Sequence, residues 1–216
     1  MPRTWTLLIL VLLLATDATR CSAAERVVFL RSGLTEATLY IANADGAAER
    51  ALTEPGSWNY NPAWSPKGDW IAFTSERAGS ADIYRVHHDG TGVERLMDSP
   101  AFDDQAAFSP DRNCIAFVTT RATGRANLWI LDVQTHNATP LTAGDGGDFR
   151  PAWSPDGEQL LFTSSRMGFK DEAIYTGAPQ PYGEIFVMRY DGTHVEQLTD
   201  NQWEDGGPAW STYRKH

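Results

Sequence analysis

Four polar residues recur at one position of the sequence, five residues before an aromatic residue that is itself repeated. They are Asn59, Asp103, Asp148 and Asp205. Converging carboxylates could hold a Ca²⁺-like cation through oxygen ligands, or each could hydrogen-bond backbone amides of its own turn. Because the position nearly repeats along the chain, we favour hydrogen bonds to the backbone amides of the turn. The four residues remain a candidate acidic ring at the mouth of a central channel.

Catalytic and cofactor-binding patterns are missing from the sequence. It contains no Gly-x-Ser-x-Gly elbow and no phosphate-cradling glycine loop. The histidines at 87, 88, 136, 194 and 216 do not have metal-ligand spacing. The sequence therefore predicts a protein that is not an enzyme, with no catalytic residue, no metal site and no cofactor.

A motif of the form Pro-Ala-Trp-Ser-Pro recurs along the chain and sets its organisation. Its aromatic residues are Trp64, Phe108, Trp153 and Trp210, so successive copies lie 44, 45 and 57 residues apart. Short apolar runs follow the first three copies, and Gly, Pro and Asp separate these runs. Such runs are typical of strands, and four strands in about 45 residues are the signature of a propeller blade.

The motif copies resemble the TolB-type β-propeller repeat. The resemblance rests on Pro-Ala-Trp-Ser-Pro-Asp-Gly at 151–157, on the run from Leu160 to Arg166, and on Ile185-Phe186-Val187-Met188 before Asp191-Gly192. It recurs in register over nearly all of 27–211 and implies an all-β propeller of four-stranded antiparallel blades. TolB-like propellers characteristically have six blades, and the same repeat also builds propeller domains of peptidases and sugar-processing enzymes.

Counting strands predicts how the blades close into a ring. Residues 27–53 hold three strands (27–31, 39–42 and 49–52), and the motif copy at 208–211 supplies one more. Together with three complete blades this gives sixteen strands, or four blades, if the C-terminal strand completes the N-terminal blade and removes its open edge. An open arc, or a ring completed by a second chain, is the alternative. We expect a monomer, with a dimer as the other possibility.

Four arginines, Arg31, Arg77, Arg121 and Arg166, follow the second strand of each blade in the sequence. A residue found in every blade most simply serves the blade. We therefore expect these arginines to pair with neighbouring acids or to cap loop carbonyls.

The last motif spacing, 57 residues, is longer than the other two because of an insertion at 167–183. This insertion connects the second and third strands of the last complete blade. Long loops with aromatic side chains on a rigid scaffold are frequent recognition sites, although this loop could also merely cover the channel mouth or a blade edge. The candidate partner-binding residues are those of the insertion and of the loops on the same face: Phe169, Lys170, Tyr175, Pro181, Tyr182, Trp58, Tyr60 and Trp203.

The first 24 residues have the pattern of a cleaved secretory signal peptide, with a lipoprotein signal at Cys21 as the alternative. Arg3 precedes an apolar run at 7–15, and small residues occupy 21–24. That run is shorter than the roughly 20 residues of a spanning helix, so we expect a periplasmic or secreted propeller over 25–216 with no integral membrane segment. Cys114 is then the one cysteine of the mature chain, and its apolar neighbours predict a buried, inert thiol.

Charge narrows the choice of partner. Eighteen basic and 28 acidic residues give a net charge of −10, the wrong sign for tracking phosphates, so we do not expect nucleic acid binding. The sequence predicts an exported, non-enzymatic scaffold that binds another protein. The alternative is a carbohydrate- or peptide-processing propeller with Asp103, Asp148 and Asp205 as its acids.

Overall fold

The computed structural model describes residues 25–144, 146–168 and 183–211. Within them the chain forms only β-strands, grouped into four antiparallel sheets. The first sheet has three strands, which are β1 (Arg26–Ser32), β2 (Ala37–Asn43) and β3 (Arg50–Ala51). The other three sheets have four strands each, in sequence order: β4 (Asn59–Trp64), β5 (Trp70–Ser75), β6 (Asp82–His87) and β7 (Glu94–Arg95); β8 (Asp103–Phe108), β9 (Cys114–Thr119), β10 (Asn127–Asp132) and β11 (Ala138–Pro140); β12 (Asp148–Trp153), β13 (Gln159–Ser164), β14 (Glu184–Arg189) and β15 (Glu196–Gln197).

The sheets are the propeller blades that the repeat predicts. Each sheet pairs strands that are neighbours in sequence, as a meander does. The second residue of each predicted Asp-Gly turn has a positive φ, 89° at Gly90 and 83° at Gly192, which suits glycine. The all-β fold class is confirmed.

The hydrophobic core lies between blades. Three clusters separate the four sheets, and Phe73, Phe117 and Phe162, from the second strands of blades 2, 3 and 4, have no exposed surface. Because a blade is covered on both faces, the strands that carry these residues are apolar at nearly every position. This packing holds the loops of each blade in fixed positions.

The same hydrogen bond recurs at the turn between the first and second strands of blades 2, 3 and 4. The buried Ser65, Ser109 and Ser154 of the motif each accept a backbone N–H bond from the residue that begins the next strand, at 2.9 to 3.0 Å. The same hydrogen bond to the motif serine is therefore present in blades 2, 3 and 4.

The predicted closure by the C-terminal strand is not made by the described residues. Residues 208–211 form no strand, and β1 pairs with β2 alone. The Trp210 indole instead donates to the Ala152 carbonyl of blade 4 at 3.0 Å, as the Trp153 indole donates to the Ala107 carbonyl of blade 3. The C-terminal motif thus packs as the start of a further blade, and no described element of blade 1 contacts blade 4. The arc left open as the alternative is what these residues form.

Two faces of the arc follow from this topology. The loop face carries the connections from second to third strands and from one blade to the next, including residues 52–58, 97–102 and 199–204. The turn face carries the connections from first to second and from third to fourth strands, including residues 65–69 and 88–92. The predicted signal peptide at 1–24 lies outside the described residues, so it and the domain boundary at 25 remain predictions.

Candidate binding surfaces

In blades 2, 3 and 4, an arginine binds a buried side chain at the start of the first strand, at the loop-face end of the blade. We call each of these pairs a clamp. Asp103 and Asp148 are at most 1% exposed, and their carboxylates lie 2.8 and 2.9 Å from the Nη2 atoms of Arg121 and Arg166. In blade 2 the neutral Asn59 accepts from Arg77 at 3.0 Å. The predicted pairing with a neighbouring acid is present for Arg121 and Arg166, whereas the partner of Arg77 is a neutral amide.

Aromatic rings hold the same guanidinium groups from the side. Arg121 lies 5.5 Å from the Phe117 ring centroid and 5.0 Å from that of Trp129. Arg77 and Arg166 contact the equivalent rings of their blades at 4.8 to 5.5 Å. Cation–π attraction at such distances adds to the ion pair, and burial lowers the pKa of Arg77. Each clamp is part of the blade's own structure.

Blade 1 departs from this pattern. Arg31 lies inside β1 opposite Thr38, rather than after the strand, and its side chain pairs with the half-exposed Glu49 at 2.9 Å. It still stacks over Tyr40, at 4.1 Å from the ring centroid. The prediction that Arg31 occupies the same blade position as the other three arginines is therefore wrong. The predicted pairing of Arg31 with an acid is present.

The four residues of the candidate acidic ring do not lie together at an open mouth. Asn59, Asp103 and Asp148 are buried inside separate blades, whereas Asp205 is partly exposed and accepts from Asn201 at 2.8 Å. The described residues contain no group of three His, Cys, Asp or Glu side chains that could hold a metal ion. The arrangement gives these side chains a role in holding the blade.

Exposed aromatic side chains mark the loop face. Trp58, Phe102 and Trp203 are 38, 45 and 51% exposed. Trp58 and Phe102 occupy equivalent places, since each carbonyl accepts from the residue that follows the neighbouring second strand, Glu76 or Thr120. Three large apolar side chains therefore face solvent in loops that a packed scaffold holds in place.

Tyr60 is held more firmly than these three. Its side chain is half-buried and donates to Glu76 at 3.0 Å. Burial, followed by the nearby Asp104 carboxylate, raises the pKa of Tyr60. The phenol therefore stays protonated at neutral pH and acts as a hydrogen-bond donor.

The remaining candidate partner-binding residues lie outside the described residues: Phe169, Lys170, Tyr175, Pro181 and Tyr182. The structure therefore does not test the predicted role of the insertion. Met167, at the start of the insertion and within the described residues, is 58% exposed.

A polar cleft of about 570 Å³ opens between blades 2 and 3 on the turn face. Arg85 and Glu94 of blade 2 lie 2.6 Å apart, and His136 of blade 3 approaches the same carboxylate at 3.4 Å. Across the cleft, Arg112 of blade 3 pairs with Asp69 of blade 2 at 2.7 Å. These ion pairs across the cleft tie the two blades together.

Sequence reasoning did not find this cleft. Its charged side chains come from two blades and do not repeat along the chain, so they become neighbours only through the packing of one blade on the next. No single-sequence signal joins Glu94 to His136, which lie 42 residues apart (136 − 94).

Cys114 is half-buried at the start of β9 and is free among the described residues. Burial raises the pKa of its thiol, and the nearby carboxylates of Asp111 and Asp132 act in the same direction. The group is therefore a weak nucleophile at neutral pH, as the sequence predicts, although it is less buried than expected. Among the described residues, no helix is long and apolar enough to cross a membrane.

Comparison with known proteins identifies the family to which this arrangement belongs. The sequence profile of the Tricorn protease N-terminal beta propeller domain matches residues 22–214. The chain belongs to this family. A solved structure from Agrobacterium tumefaciens whose name assigns it to TolB superposes with a TM-score of 0.70 at 25% identity, over 86% of this chain and 66% of that one. The TolB-type repeat is thereby confirmed.

Two curated relatives match shorter segments. The Tol-Pal system protein TolB of Desulfosudis oleivorans is 36% identical over 58 residues, which is 27% of this chain and 13% of that protein. The uncharacterized peptidase YuxL of Bacillus subtilis is 33% identical over 86 residues, 40% of this chain and 11% of that protein. This chain thus spans a small part of the curated relatives that it matches, which are 11% and 13% covered.

Proposed function

We propose that this chain is an exported, non-enzymatic propeller scaffold that binds another protein in the periplasm or cell envelope through its loop face. The observation that carries the proposal is the exposure of Trp58, Phe102 and Trp203 on that face. Large aromatic side chains on rigid supports lose little conformational entropy on binding and dominate the energetics of many interfaces.

The placement of the acids favours binding over catalysis. A general acid or base must reach the substrate within hydrogen-bond distance. Asp103 and Asp148 are buried and each accepts from an arginine of its own blade. The large side chains that the loop face exposes include the aromatic Trp58, Phe102 and Trp203, which suits recognition of a protein surface.

Surface charge and family support the same class of partner. A net charge of −10 opposes binding to nucleic acid, and the relatives include proteins named TolB, one of them as part of the Tol-Pal system. The location in the periplasm or outside the cell rests on the apolar pattern at 7–15 and remains part of the proposal.

The second candidate is a carbohydrate- or peptide-processing propeller enzyme. The match to YuxL, which is named as a peptidase, favours it. Under the enzymatic form of this alternative, Asp148 would act on oligosaccharides or peptides. Turnover of such a substrate that is lost in Asp148→Asn, while the variant keeps the wild-type unfolding transition, would favour this candidate over the scaffold.

The experiment for the scaffold compares captured proteins rather than activity. The chain is immobilised and exposed to periplasmic extract as wild type and as Trp58→Ala/Trp203→Ala. Tyr190→Ala is the matched control, because Tyr190 is 45% exposed but follows β14 on the turn face. We expect a protein bound by wild type and by the control to be reduced at least tenfold with the double variant. Equal capture by all three would refute the proposal.

A further inference from the structure

Asp104 is a buried carboxylate without the cationic partner that comparable aspartates have. The described residues bury four aspartates, and three of them, Asp82, Asp103 and Asp148, each pair with an arginine at 2.7 to 2.9 Å. Asp104 is 5% exposed, yet no described arginine, lysine or histidine lies within 4.0 Å of its carboxylate. A buried charge without a counter-charge costs free energy, so this site favours an added cation.

Neutral groups of two blades hold the Asp104 carboxylate in place. Its Oδ1 atom accepts from the Thr74 hydroxyl at 2.6 Å and from the Asn61 side-chain amide at 2.7 Å, both in blade 2. The Gln105 backbone amide donates to the same atom at 2.7 Å. The carboxylate on β8 therefore bridges blades 2 and 3, and its Oδ1 atom already has three donors.

The second oxygen of Asp104, Oδ2, accepts from none of the described residues. The oxygen atoms that Asp103 and Asp148 leave without a hydrogen bond are fully buried. Oδ2 of Asp104 is not sealed in this way, because the residue keeps a small exposed surface. One carboxylate oxygen is thus open to a ligand where blades 2 and 3 meet.

The clamp arginine of blade 2 lies on the wrong side of its sheet to compensate Asp104. Arg77 lies 5.5 Å from the Phe73 ring centroid, and Phe73 belongs to the cluster between blades 1 and 2. Thr74 follows Phe73 on β5, so its side chain points to the opposite face, toward blade 3. Asp104 contacts Thr74 on this second face, away from the guanidinium.

A second carboxylate and exposed aromatic residues accompany this oxygen. The Tyr60 hydroxyl donates to the exposed Glu76 at 3.0 Å, and burial, followed by the Asp104 carboxylate, raises the pKa of Tyr60. Trp58 and Phe102, both exposed on the loop face, precede Tyr60 and Asp104 by two residues in the chain. A ligand that carries a cation on an apolar stem matches this combination.

The single available oxygen favours an ammonium group over a guanidinium group. Arginine binds a carboxylate best through two parallel N–H bonds to its two oxygens, but Oδ1 of Asp104 is already occupied. The lysine ammonium is a compact point charge on a flexible four-carbon stem. It needs only one oxygen, and its stem gains from contact with apolar surface.

We propose that Asp104 receives a lysine side chain of the protein partner at the loop-face end of the junction between blades 2 and 3. The inference rests on the proposed function, because the partner that contacts the exposed aromatic residues supplies this lysine. The ammonium donates one N–H to Oδ2 and compensates the buried charge. An ion pair at a desolvated position of an interface contributes more to binding than one at its rim.

The test measures the binding of octalysine and octaarginine peptides by isothermal titration calorimetry at physiological ionic strength. Glu54→Gln is the matched control for Asp104→Asn, since it also removes one carboxylate, at an exposed position of the loop-face segment 52–58. We expect Asp104→Asn to raise the dissociation constant of octalysine at least about fivefold and Glu54→Gln to raise it less than about twofold. The effect of Asp104→Asn on octaarginine should be smaller than its effect on octalysine.

Equal effects of the two variants on octalysine would overturn the proposal, because binding would then follow net charge alone. An effect of Asp104→Asn that is as large for octaarginine as for octalysine would also overturn it. A second measurement on the wild-type chain does not depend on how the variant folds. The nuclear magnetic resonance signal of the Gln105 amide, which donates to Oδ1, should shift as octalysine is added, and an unchanged signal would contradict the site.

Capture from periplasmic extract separates this inference from the proposed function. We expect the partner to be lost with Asp104→Asn and after acetylation of the lysines in the extract, which removes their charge. A partner that is lost with Trp58→Ala/Trp203→Ala but retained by Asp104→Asn would leave the proposed function intact and overturn the inference. Octalysine binding that depends on Asp104, without any captured partner, would support the lysine site and refute the proposed function.

Discussion

At the residue scale, the repeated polar position of the sequence has become a buried clamp. Asp103 and Asp148 each leave one buried carboxylate oxygen without a hydrogen-bond partner among the described residues, while the other oxygen accepts from an arginine. A buried carboxylate of this kind is stable only with its cation present. The repeat predicted that the arginines pair with neighbouring acids, but it did not identify Asp103 and Asp148 as those acids. It did not predict their burial either, because burial depends on the adjacent blade.

The clamp predicts a large effect of removing one arginine. Arg121→Met should lower the free energy of unfolding by about 3 kcal/mol, because it leaves Asp103 buried without a counter-charge. Arg112→Met is the matched control: its partner Asp69 is 40% exposed, and the loss should stay below about 1 kcal/mol. Urea unfolding of both variants checks this. Equal losses would mean that the clamp is not held by the ion pair.

The turn carboxylates predict an acid-dependent contribution to stability. A hydrogen bond from the Ser109 hydroxyl is the main cause that lowers the pKa of Asp111. Since the folded pKa lies below the unfolded value, the carboxylate stabilises the fold at neutral pH, and this contribution is lost as pH falls through the folded pKa. Asp111→Asn should therefore cost about 0.5–1 kcal/mol at pH 7 after solvent screening.

The pH dependence of that cost is the check. Urea unfolding is measured at neutral pH and again below pH 3.8, the ordinary pKa of an aspartate side chain. The difference in unfolding free energy between wild type and Asp111→Asn should shrink in acid. Glu54→Gln serves as the control for loss of an exposed carboxylate. A difference that stays constant over this range would contradict a role for the ionised Asp111.

At the element scale, the strands could be predicted from sequence because apolar runs and Asp-Gly turns are local signals. The predicted runs at 27–31 and 39–42 lie within β1 and β2. The partner of the C-terminal motif could not be predicted in the same way. Which strand Trp210 contacts depends on the rotation between successive blades, and this rotation is a property of side-chain packing that repeats leave unspecified.

Packing between blades predicts where mutations are most costly. Phe117→Ala should lower the free energy of unfolding by about 3–5 kcal/mol, because the side chain is fully buried in the cluster between blades 2 and 3. Phe102→Ala is the control on the same blade, since Phe102 is 45% exposed, and its change should stay within about 0.5 kcal/mol. Similar losses in thermal or urea unfolding would contradict the assignment of the core.

At the scale of the whole molecule, the arc separates two surfaces with different chemistry. The loop face exposes Trp58, Phe102 and Trp203, whereas the turn face carries the polar cleft between Arg85, Glu94 and His136. The sequence indicated the loop face through its insertion and its aromatic residues. It could not indicate the cleft, because two blades must pack before those side chains meet.

The loop face is the proposed partner-binding surface, and hydrogen exchange tests this role most directly. Amide exchange is measured for the chain alone and with the protein captured by the wild-type pull-down. We predict protection of segments 52–58, 97–102 and 199–204, with the turn-face segments 65–69 and 88–92 unchanged. Protection confined to the turn face would contradict this role.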